Sequence, residues 1–86
     1  MHAEQKLGEI LVRLKAISRS DFQLVMETLR RGGRRQKFGR TARAMGLVEE
    51  EHILAALAVQ MDLFPGIQRM TLAQILEYLH TAETPR

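Results

Sequence analysis

Residues 37–60 read KFGRTARAMGLVEEEHILAALAVQ, and residues 6–29, KLGEILVRLKAISRSDFQLVMETL, follow the same pattern 31 positions earlier. Lys6-Leu7-Gly8 answers Lys37-Phe38-Gly39, Leu14 answers Met45, and Ile17 answers Val48. Phe22, Val25 and Met26 likewise answer Ile53, Ala56 and Leu57. One register carries every pair, and self-similarity at a fixed period marks a repeated supersecondary unit. Within each unit the apolar spacing is helical. Leu7, Ile10, Leu11 and Leu14 stand at i, i+3, i+4 and i+7, which predicts a helix over about residues 3–14 with one core-facing side. Phe22, Val25, Met26 and Leu29 repeat that spacing after Ser18, which with Asp21 resembles a capping pair. This second helix should stop at Gly32-Gly33.

Working outward, a short helix near Thr41–Met45 should end at Gly46, a left-handed cap. The next should start near Glu49, whose run with Glu50 and Glu51 complements the exposed amides of a first turn. Ile53, Ala56, Leu57, Gln60 and Met61 then mark one side of it. Phe64-Pro65-Gly66 breaks the chain, and Thr71 with Gln74 caps a last helix bearing Leu72, Ile75, Leu76 and Leu79. The closing Thr-Ala-Glu-Thr-Pro-Arg reads as a frayed tail or linker. No stretch alternates apolar and polar residues between turn signals, so strands are not expected. The expected fold is all-α. It is a single small domain of two related helix-turn-helix halves, residues 1–33 and 34–66, plus a C-terminal helix and tail, 67–86.

Composition narrows the function classes. At 86 residues, 45% hydrophobic and 27% charged, the chain suits one compact core. The absence of cysteine excludes disulfides, thiolate catalysis and thiolate zinc sites. No apolar run approaches the ~20 residues of a membrane span, and the polar start is unlike a secretory signal, so a cytoplasmic protein without direct membrane insertion is expected. The initial Met reads as that of an N-terminal piece.

The formal charge of +3 comes mostly from Arg30-Arg31-Gly32-Gly33-Arg34-Arg35-Gln36-Lys37. Arg30, Arg31, Arg34 and Arg35 form a candidate anion patch, and a small basic module binding nucleic acid through this turn is the alternative function. A solvated linker is the favoured reading, because no aromatic residues interleave the arginines to stack bases. Catalysis finds no support. There is no phosphate-cradling Gly-x-x-x-x-Gly-Lys-Ser/Thr loop and no nucleophile elbow, while Ser18 and Ser20 suit helix capping. His2, His52 and His80 are scattered and match no metal spacing. No enzyme activity, metal or resident cofactor is expected.

The second half, Lys37-Phe38-Gly39, Ala42, Gly46-Leu47-Val48, Ile53, Ala56-Leu57 and Gln60, resembles the nucleotide-binding repeat of MshEN domains. Those domains form the N-terminal part of many type II secretion and type IV pilus assembly ATPases of the GspE class. Their repeat begins Arg-Leu-Gly, passes a Gly followed by two apolar residues, and ends on a Gln. Two copies stand in tandem, and the likeness covers about residues 6–65. The resemblance implies a regulatory or docking domain whose partners are the attached ATPase or other secretion or pilus machinery. It also implies that cyclic di-GMP is a candidate ligand held across both repeats.

Carried over, the nucleotide-binding positions are Lys6 and Lys37 for the leading Arg, Leu7 and Phe38 for the Leu, Gly8 and Gly39 for the Gly, and Gln60 for the second closing Gln. Leu11 is among the neighbouring apolar contacts. Leu29 stands where the first Gln belongs and Lys15 where the first inner Gly belongs. Lysine keeps the charge of arginine but loses its planar fork. Glycine inside a helix costs about 1 kcal/mol relative to alanine, so Gly8 and Gly39 point either to close helix packing or to the approach of a ligand.

Overall fold

The computed structural model describes residues 3–32 and 37–83. They form five α-helices: α1 (Ala3–Arg13), α2 (Arg19–Gly32), α3 (Phe38–Ala44), α4 (Glu50–Gln60) and α5 (Leu72–Glu83), with a 3₁₀ turn at Ile67–Arg69 before α5. The protein is all-α, and no strand occurs among the described residues. Two boundaries differ from expectation. The short third helix begins at Phe38 rather than near Thr41, with Lys37 as its extended N-cap. α5 runs on through residues 81–83, so the expected frayed tail starts inside a helix. The 3₁₀ turn had no periodicity to announce it, being only three residues long.

Helix ends repeat as closely as the sequence does. At the end of α1 the Leu14 amide donates to the Ile10 carbonyl (2.9 Å) and the Ala16 amide reaches back to Leu11 (2.9 Å), across Lys15 at φ 65°. At the end of α3 the Met45 amide donates to Thr41 (3.0 Å) and Leu47 to Ala42 (3.0 Å), across Gly46 at φ 76°. Both are left-handed caps in which the amide beyond the cap satisfies a carbonyl of the last turn. The following helices also open alike: Phe22 donates to the Ser18 carbonyl (2.9 Å) and Ile53 to the Glu49 carbonyl (3.3 Å). A third such cap closes α4, where Asp62 takes φ 51° and the Leu63 amide donates to Ala58 (3.0 Å).

The core draws on every element. Leu11 of α1, Val25 of α2, Phe38 of α3, Ile67 of the 3₁₀ turn and Ile75 of α5 are fully buried, and α4 contributes Ala55, Ala56, Ala58 and Val59. α1 lies at the centre and packs on α2, α3 and α4, while α5 packs on α4. The α1 stripe is buried as its spacing predicts. The side marked on α4 is split: Ala56 is fully buried and Ile53 half-buried, while Leu57 is 37% exposed and Met61 67% exposed. Residues 53–59 are apolar all round, so periodicity cannot choose the inner face. The small alanines take it, where α1 packs, and the large side chains are left outside.

Candidate functional site

The middle of the fold is the meeting of the two Lys-apolar-Gly triplets. A Cβ added to Gly8 would lie 2.6 Å from Phe22 Cε1 and 2.8 Å from two Phe38 ring atoms. One added to Gly39 would lie 3.3 Å from Ile53 Cδ1 and 3.6 Å from Leu7 Cδ2. The contacts exchange under the 31-residue register: each glycine receives the second-helix residue of its own half and the residue before the glycine of the other. Such reciprocity is what a two-fold relation between equivalent surfaces produces. The Phe22 and Phe38 rings meet at 5.6 Å between centroids, tilted by 35°, and the Arg19 guanidinium sits 5.3 Å from the Phe22 centroid. Gly8 is therefore packed tightly against both rings, and a Cβ there would force them to shift.

Each half also carries an open groove on its first helix. The first, of about 570 Å³, is lined by Lys6, Glu9, Ile10, Val12, Arg13 and Arg19. The second, of about 480 Å³, is lined by Arg40, Arg43, Ala44 and Glu50, which stand 31 residues after Glu9, Val12, Arg13 and Arg19. Gly39, Ile53, Leu54 and Leu57 complete it. One backbone design thus presents two clefts with different side chains.

The nucleotide-binding candidates divide into three groups. Lys6 and Lys37 are exposed, and Lys6 lines the first groove. Leu7, Gly8, Leu11, Phe38 and Gly39 are buried, Leu11 and Phe38 completely. Gln60, the last residue of α4, is half-buried. The structure brings Leu7, Gly8, Phe38 and Gly39 together. It gives no contact that joins Lys6, Lys37 and Gln60 into one site.

In the anion patch, Arg30 and Arg31 share one partner, with Glu27 Oε2 at 3.9 and 3.6 Å from their guanidinium groups. Arg34 and Arg35 lie outside the described residues. His52 has a capping role that spacing did not reveal: its Nδ1 accepts the Glu49 amide at 3.1 Å. Gln68 is a second residue that sequence reasoning missed. Its amide donates to the Val59 carbonyl (2.9 Å) and to Asp62 Oδ1 (3.3 Å), and its Oε1 accepts from Arg13 (3.4 Å), which ties the ends of α1 and α4 together. No helix among the described residues is long and apolar enough to cross a membrane. Compared with protein-family models, curated proteins and solved structures, the chain matches none.

Proposed function

We propose that this chain is a non-catalytic regulatory or docking domain of a type II secretion or type IV pilus assembly ATPase, with cyclic di-GMP as its candidate ligand. The observation that supports this reading is the reciprocal packing of the two halves about Gly8 and Gly39. Cyclic di-GMP is itself two chemically identical halves, and a protein with equivalent surfaces can address both in the same way. Lys6 and Lys37, exposed at matching positions, supply one cation to each phosphate. The nucleic-acid alternative is less well supported, since Glu27 offsets part of the charge of Arg30 and Arg31.

Isothermal titration of the chain with cyclic di-GMP tests the ligand. The expected result is one dinucleotide per chain with a Kd on the order of 10 μM, about −7 kcal/mol. The absence of heat at several times that concentration would remove the nucleotide and leave the docking reading alone. Because a bidentate guanidinium recognises guanine edges and phosphates better than an ammonium does, Lys6→Arg with Lys37→Arg should tighten binding by about tenfold.

A further inference from the structure

The two halves serve as controls for each other, and the second carries an apolar strip that the first lacks. On α4 Leu54 is 48% exposed and Leu57 37%, and Met61, the C-cap residue, is 67% exposed; they stand at i, i+3 and i+7. The first half has Gln23, Met26 and Arg30 at the corresponding positions of α2. The same helix in the same register is therefore compatible with polar residues at two of these three places. Folding does not require leucine at 54 or methionine at 61, and contiguous exposed apolar side chains of this kind mark a binding surface.

The strip borders the second groove, where Leu54 and Leu57 line one side and Arg40 and Arg43 the other. Arg43 lies 3.5 Å from Glu50. Arg40 has no ion pair among the described residues, and its counterpart in the first half is Glu9. An apolar wall beside a free guanidinium is complementary to a helix with an apolar face flanked by carboxylates. A second copy of this chain fits less well, because a two-fold contact there would set the two arginines against their own images. A lipid surface fits less well too, since the groove is concave rather than flat.

We infer that the α3–α4 groove docks an acidic amphipathic helix of a partner protein, its apolar face on Leu54, Leu57 and Met61 and a carboxylate on Arg40. This inference rests on the docking part of the function proposed above and is independent of the nucleotide. The probe is a designed 18-residue helix with leucines at i, i+3, i+4 and i+7 and glutamates on both flanks, compared with the same peptide carrying lysines. The variant Arg40→Glu/Leu54→Gln/Met61→Arg installs the residues that the first half already uses, and circular dichroism melting establishes that it folds.

By fluorescence anisotropy at low salt, the glutamate peptide should bind the wild-type chain at least tenfold more tightly than the lysine peptide, and at least tenfold more tightly than it binds the variant. Equal affinity for both peptides, no binding, or unchanged binding to the folded variant would overturn the inference. So would a concentration-dependent dimer that the variant abolishes, or tighter binding of the wild-type chain to phosphatidylserine vesicles than to the peptide. A flat calorimetric titration with cyclic di-GMP alongside peptide binding removes the ligand and keeps the docking groove. The reverse pair of results removes the groove and keeps the ligand.

Discussion

Single residues in this chain are distinguished by what stands 31 positions away. Lys15 and Gly46 occupy the same left-handed cap, at φ 65° and 76°, yet only one of them is glycine. A left-handed non-glycine residue carries a cost of roughly 1–2 kcal/mol from Cβ crowding. Lys15→Gly should therefore raise stability by about 0.5–1 kcal/mol after the added entropy of the unfolded chain is allowed for. Gly46→Ala should lower it by about 1 kcal/mol, and purely through the backbone, since its Cβ would meet nothing within 4 Å. Urea denaturation of the two variants checks both signs.

The helical glycines separate in the same manner. Gly8→Ala drives a methyl into two buried rings and should cost about 1–3 kcal/mol. Gly39→Ala meets the movable end of Ile53 at 3.3 Å and gains helix propensity, so it should be neutral within about 0.5 kcal/mol. Thermal melts of the pair would show whether the first glycine is the tighter one.

At the scale of elements, what was legible in the sequence depended on contrast. α1 could be read in full because its apolar residues interrupt charged ones, so spacing alone defined the buried face. The Ser18 and Thr71 starts were legible because short polar side chains at helix entry have a specific task. Ser18 Oγ accepts the Asp21 amide at 3.0 Å, and Thr71 and Gln74 exchange bonds of 2.9 and 3.2 Å. α4 offers no such contrast, because it has no polar side among residues 53–59, and its inner face is set by the packing of α1 against it. The grooves were not legible, being products of how helices meet rather than of any local pattern.

α5 packs on α4 and is further held by Tyr78 stacked on Phe64, with centroids 3.9 Å apart and rings 18° from parallel. An aromatic pair of this kind contributes about 0.5–1.5 kcal/mol beyond the area it buries. Helices with fewer partners open at lower free energy than central ones. Amides of α5 should exchange with deuterium faster than those of α1, and Tyr78→Ala should widen the gap while leaving α1 exchange little changed. Equal exchange of α1 and α5 would show that the molecule opens only as a whole.

The molecule as a whole is an all-α bundle in which Gly8 and Gly39 receive matching contacts under the 31-residue register, with α5 against α4. Its equivalent grooves have diverged, the first lined mainly by charged residues and the second walled by leucines. In the function proposed above, this paired architecture serves a two-headed regulatory ligand. The most direct test is a titration of the ¹⁵N-labelled chain with cyclic di-GMP followed by amide chemical shifts. Amides at matching positions, Lys6 with Lys37 and Glu9 with Arg40, should move together along one binding curve. Shifts confined to one half or to residues 30–37, or no shifts at all, would contradict that reading.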